Sequence, residues 1–164
     1  MPSAARRPRG APAIDIVIES PVWPDEPDAG GVIRRAIGAA AEMTNSGADR
    51  EVAVLLCDDA AMRGLNGRWR GRPEPTNVLS FPAAAGTGTL GDIAIAYETT
   101  AQEAQAEGRP FADHLAHLAV HGFLHLLGYD HQSDAEAAAM ERLETTILAR
   151  LGVADPYAKH GSTT

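Results

Sequence analysis

The chain has little of several things that would otherwise direct its reading. Among 164 residues there is one cysteine, Cys57, so no disulfide framework can form. Its place in the apolar run Val52-Ala-Val-Leu-Leu-Cys57 reads as an inert core thiol. No apolar stretch is long enough for a signal peptide or a bilayer span, which predicts a soluble, cytosolic protein. Aromatic residues make up only 5% of the chain, and of its 14 cationic side chains Lys159 alone is a lysine. Positive charge is scarce as well: the net charge of −8 disfavours, at first sight, a polyanionic partner.

The distribution of charge modifies that. Arg63, Arg68, Arg70 and Arg72 fall within ten residues that contain no acid. Guanidinium forks match phosphate oxygens, so this patch can seat a phosphodiester. A cationic last turn complementing a helix dipole explains it equally well from local sequence.

The most specific feature is His121-Gly-Phe-Leu-His125-Leu-Leu-Gly128-Tyr-Asp-His131. On a helix, His121 and His125 lie one turn apart on one face, roughly 6 Å along the axis. Continuing that helix would carry His131 about 100° away from them. Gly128 can take the left-handed conformation that ends a helix, letting the chain return and offer His131 as a third ligand. Three neutral imidazoles leave one position of a tetrahedral zinc ion open, the arrangement of a catalytic site. The spacing is also that of metzincin proteases, whose second motif residue is a glutamate general base. Here that residue is Gly122, which argues against proteolysis and leaves metal binding untouched. His114 and His117 continue the same stripe and read as a polar groove edge or hydrogen-bonded core histidines. Asp130 is a candidate to orient a ligand imidazole from behind.

The rest of the chain supplies a scaffold. Length suits one domain, with residues 1–12 read as a disordered arm, 13–158 as a single catalytic domain and 159–164 as a flexible tail. Strands are predicted at Ile14–Ile18, Glu51–Cys57, Asn77–Phe81 and Leu90–Ala96. Helices are predicted near 28–45, from Asp58 or Asp59 to about Trp69, over 97–107, through the histidine segment, and over about 134–151 behind the capping box Ser133-Asp-Ala-Glu136. This is an α+β fold, a mixed α/β sandwich with about four strands in a mixed sheet, roughly five helices, and a metal cleft on a helix of the C-terminal half.

Five segments taken together resemble one family: Leu65-Asn66-x3-Arg70-Gly71, Pro75-Thr-Asn-Val-Leu-Ser-Phe-Pro82, Leu90-Gly-Asp92, the histidine motif, and Asp155-Pro-Tyr157. The chain is similar over residues 13–158 to the YbeY family, bacterial metal-dependent endoribonucleases implicated in ribosomal RNA maturation. The resemblance implies a single-strand-specific enzyme acting late in rRNA maturation, at the 16S 3′ end, and in ribosome quality control, with ribosomal subunits or ribosome-associated proteins as partners and no DNA or membrane. It implies one Zn2+ per chain on His121, His125 and His131, and a catalytic role for Arg70, which would grip the scissile phosphate. Arg68, Arg72, Asn77 and Ser80 are the candidate substrate contacts. Either a metal-activated water or the RNA 2′-hydroxyl fits as nucleophile. Trp69 and Phe81 can stack bases, with core packing the preferred reading of both. Two other classes remain open at this point: a zinc peptidase or small-molecule hydrolase, and a non-catalytic ribosome-associated zinc protein. Ser80 lacks a nucleophile-elbow context, which discounts a serine hydrolase.

Overall fold

A computed structural model describes residues 12–23, 28–47, 49–71, 76–84, 86–130 and 132–158, with Arg70 described by its backbone only. Within them the chain runs β1 (Ala13–Ile18), α1 (Asp28–Thr44), β2 (Glu51–Cys57), α2 (Asp59–Arg70), β3 (Val78–Pro82), β4 (Thr89–Ala96), α3 (Tyr97–Ala106), α4 (Phe111–Leu126) and α5 (Asp134–Arg150). The sheet order is β1-β2-β4-β3. The first three strands in that order are parallel, and β3 runs antiparallel along the β4 edge with Ser80 opposite Ile93. The α+β class, the mixed four-stranded sheet and the five helices agree with expectation.

Alternation along the strands decides which face meets which layer, because successive side chains point to opposite sides. Ile14 and Ile16 of β1, Val52, Val54 and Leu56 of β2, and Ile93 and Ile95 of β4 face the principal core. There they meet Ile33 and Ile37 of α1, Leu115, Phe123 and Leu124 of α4, and Ile147 and Leu148 of α5. Cys57, Leu79, Ala94 and Ala96 point the other way, where Met62 of α2 covers them. The thiol of Cys57 is fully buried, and burial together with the nearby charges of Glu19, Asp58 and Asp59 pushes its pKa from 9.0 up to about 12. That is the inert core thiol the sequence implies.

Local signals set the element ends. Asp58 caps α2 by accepting from the backbone N–H of Ala61 at 2.8 Å. Its neighbour Asp59 instead accepts from Thr99, joining α2 to the start of α3. Ser133 caps α5 through the Glu136 N–H. Gly91 is required where β4 passes β3: its φ is +136°, and a Cβ there would stand 2.3 Å from the Phe81 carbonyl oxygen.

Candidate metal centre

The site is built on α4. This helix lays Leu115, Leu118, Phe123 and Leu124 into the core and leaves His114, His117, His121 and His125 along its remaining stripe. At the C-terminal end of the stripe the Nε2 atoms of His121 and His125 face each other at 3.1 Å, with ring planes at 76°. Both rings line a cleft of about 780 Å³ whose wall is β3, from Val78 to Pro82, and whose rim includes Trp69, Tyr129 and Asp130. The helix ends at Leu126, and Gly128 follows with φ +103°, while the Tyr129 N–H closes back on the Leu124 carbonyl at 3.1 Å. The chain therefore turns where the motif requires it to turn. His131 lies outside the described residues.

Close approach of α4 to the sheet depends on Gly122. A Cβ at this position would stand 2.9 Å from Ile93 Cγ2 and 3.2 Å from Ser80 Oγ. The Ser80 hydroxyl donates to the Gly122 carbonyl at 2.9 Å, tying β3 to α4. The motif position where a metzincin carries its glutamate thus has no room here for a side chain unless Ile93 and Ser80 shift.

Behind the pair stands a residue that periodicity alone does not single out. Glu144 of α5 has no exposed surface. Its Oε2 lies 2.5 Å from His121 Nδ1, its Oε1 lies 3.4 Å from His117 Nε2, and the Tyr157 hydroxyl donates to the same Oε1. Burial by itself raises a carboxyl pKa, but hydrogen bonds from His117 and His121, the charge of His121 and the hydrogen bond from Tyr157 overcome it and hold Glu144 at about 2, against 4.5. Burial and the adjacent Glu144 charge push the Tyr157 hydroxyl the other way, upward, so it remains a donor.

An ionised carboxylate only accepts hydrogen bonds. His121 must therefore carry a proton on Nδ1, and its Nε2 points toward His125 and the cleft. A carboxylate–imidazole pair of this kind is the usual support of a metal-binding histidine, fixing its tautomer and raising its basicity. The spacing is also suitable: two nitrogens at ~2.1 Å from one tetrahedral ion lie about 3.4 Å apart, close to the 3.1 Å found. The described residues fit a zinc-type ion. Among the described residues, which do not include His131, no group of three or more His, Cys, Asp or Glu is placed to hold one.

The other expected positions distribute around this cleft. Asn77 lines it while its Nδ2 donates to Glu103 at 3.0 Å, and Ser80 lines it with its hydroxyl engaged as above. Asp130 lines it and is half-buried. Arg68 is exposed on α2. Arg70 ends that helix, followed by Gly71 as a left-handed cap at φ 70°; its side chain, and the whole of Arg72, lie outside the description. His114 is buried at 4% exposure between Arg109 and Glu103, and His117 bonds Glu144 and Tyr157, as expected of hydrogen-bonded core histidines. Core packing is overturned for Trp69, which is 68% exposed, because α2 carries it past the edge of the packed layer. Phe81, expected to pack in the core, is half-buried against it and in edge contact with Trp69 at 5.9 Å. The signal that could have revealed Glu144 is its place among Met140, Ile147 and Leu148: a carboxylate in the buried stripe of an amphipathic helix needs a partner.

Paired imidazoles, one of them held by a buried carboxylate, in a cleft between a helix and an edge strand of an α+β sheet, make a candidate site of the metallohydrolase type. A family model described as Endoribonuclease YbeY matches residues 21–152. Proteins named endoribonuclease YbeY are similar throughout. One from Bradyrhizobium sp. (strain BTAi1) is 58% identical, covering 90% of this chain and 93% of its own. One from Rhodopseudomonas palustris (strain BisA53) is 57% identical over 90% and 91%, and one from Methylocella silvestris 50% over 89% and 86%. The chain belongs to the YbeY endoribonuclease family, whose activity is cleavage of RNA phosphodiester bonds. A solution structure of a Thermotoga maritima protein shares the fold, with a TM-score of 0.56 at 22% identity over 88% of this chain and 99% of its own. Among the described residues no helix is long and apolar enough to cross a membrane.

Proposed function

We propose that this protein is a zinc-dependent endoribonuclease specific for single-stranded RNA. It acts in the cytoplasm, at the ribosome or on ribosome-associated complexes, in late rRNA maturation at the 16S 3′ end and in ribosome quality control. Residues 13–158 form the catalytic domain. His121, His125 and His131 hold one Zn2+, Arg70 is the catalytic arginine, and Arg68, Arg72, Asn77 and Ser80 contact the strand. The observation that carries this reading is the His121–His125 pair, its Nε2 atoms 3.1 Å apart in the cleft, with His121 held from behind by a fully buried Glu144.

Zinc, when bound, supplies Lewis acidity toward a phosphoryl oxygen and lowers the pKa of water, so that no adjacent glutamate is required. The remaining work falls to the chain. Glu144 keeps the proton of His121 on Nδ1, so Nε2 stays available to an ion. Tyr157 and His117 hold Glu144 in place and disperse its charge. Ser80, bonded to the Gly122 carbonyl, keeps the β3 wall against α4 and so sets the width of the cleft. Arg70 grips the scissile phosphate and offsets charge developing on its oxygens, and Asp130 braces the third imidazole.

Metal-analysed wild type, His125→Ala and Arg70→Ala should be compared on single-stranded and duplex RNA. The expected outcome is cleavage of single strands by wild type alone, with zinc retained in Arg70→Ala and lost in His125→Ala. Equal cleavage by all three would refute the proposal and indicate a contaminating nuclease.

A further inference from the structure

The metal cleft does not end at its aromatic rim. Trp69, Phe81 and Pro82 line the cleft on one side, and on the other they line a second groove of about 570 Å³ across the outer face of the sheet. That groove lies where α2, which covers Cys57, Leu79, Ala94 and Ala96, leaves the rest of the outer face open. Ala53, Leu55 and Val17 of β2 and β1 are left partly or largely open, with Val17 44% exposed. At the divide stands Trp69, 68% exposed, the most exposed of the large apolar side chains among the described residues, held edge-on against Phe81 at 61°. A large indole kept in solvent beside a binding cleft, rather than folded into the open apolar groove next to it, is a surface shaped for contact.

Charge selects the occupant. Among the described residues the groove lining carries one ionisable side chain, the exposed Asp92, which repels a phosphate but accepts from the amino group of a base. Two described cations stand on the helix that presents Trp69: Arg63 and Arg68 are exposed on α2. A polymer with flat faces and a regularly spaced anionic backbone matches both, its bases toward the indole and the neutral groove, its phosphates toward the arginines.

We infer that the Trp69–Phe81 edge is a nucleobase-stacking subsite: an unpaired base next to the scissile phosphate stacks on the Trp69 indole, and the strand continues from the metal cleft onto the open sheet face. The inference rests on the RNA-cleavage reading above and adds where the substrate lies. A base in a duplex is already stacked and paired, so this subsite also supplies a physical basis for preferring single strands.

The test uses zinc-loaded full-length protein and a short single-stranded oligocytidylate. Trp69→Ala and Trp69→Leu should raise KM by about ten- to hundredfold with kcat little changed, whereas Trp69→Phe, which keeps an aromatic face, should stay near wild type. The chain has only two tryptophans, and Trp23 is buried at 3% exposure, so quenching by added RNA reports on Trp69. Quenching should occur in wild type and vanish in Trp69→Phe. An unchanged KM in Trp69→Ala, equal loss in Trp69→Leu and Trp69→Phe, or unquenched wild-type emission would overturn the subsite while leaving RNA cleavage standing. A wild type that neither binds nor cuts the oligonucleotide would overturn both readings.

Discussion

Two pairs of histidines occupy one stripe of one helix, and they do different things. His114 and His117, toward the N-terminal end of α4, have their hydrogen bonds directed into the protein: His114 takes Arg109 at Nδ1 and gives to Glu103 at Nε2, and His117 meets Glu144 and Tyr157. His121 and His125 turn their Nε2 atoms toward each other in the cleft, with the opposite nitrogen of His121 fastened to Glu144. All four have ligand chemistry, and three of the four share one carboxylate network or border it. What separates them is where the second ring nitrogen points.

Substitutions can sharpen or break that contrast. The largest effect belongs to the cleft pair: His125→Ala should abolish both RNA cleavage and zinc retention while circular dichroism shows an intact fold. Next, Glu144→Gln should weaken zinc affinity by about 10- to 100-fold in chelator competition, because a neutral amide supports the His121 N–H less well. The same variant has a pH signature in the metal-free protein. Glu144 is held at about 2 against 4.5, so the stability it contributes is full above about pH 4.5 and lost as the pH falls toward 2. Glu144→Gln should flatten the acid limb of a denaturation profile over that window.

Smaller changes are expected away from the metal. Gly122→Ala should cost about 1–3 kcal/mol of stability in denaturant unfolding, since its Cβ meets Ile93. His114→Ala should cost a comparable or smaller amount, about 1–3 kcal/mol from stranding Arg109 and the half-buried Glu103, and should leave zinc affinity within twofold or so of wild type. A large loss of zinc in His114→Ala would erase the distinction between the two pairs.

Much of this arrangement was legible before any coordinates, and the unevenness has physical causes. The strands were readable because β-branched runs at Ile14–Ile18 and Glu51–Cys57 end in turn residues, and the α5 start because Ser133 and Glu136 form a capping box. The His121–His125 pair was readable because a spacing of four is a property of one helix. Gly122 is legible in sequence as a missing base, but its reason is tertiary: the side chains of Ile93 and Ser80 occupy the space a side chain would need. Glu144 and Tyr157 were not assigned to the site, since they reach His121 from another helix and from the segment after it, and local periodicity does not report such pairings. Trp69 was misplaced for a similar cause. Whether an aromatic on α2 is buried depends on how much of the sheet α2 covers, and it covers less than a full layer.

Metal occupancy tests the proposed contrast between the two histidine pairs. Metal-free wild type, His121→Ala and His114→Ala should be titrated with Zn2+ by calorimetry, with bound metal counted after gel filtration. The account predicts one tightly held ion per chain in wild type and in His114→Ala and none in His121→Ala. Equal occupancy in all three, or loss in His114→Ala alone, would contradict it.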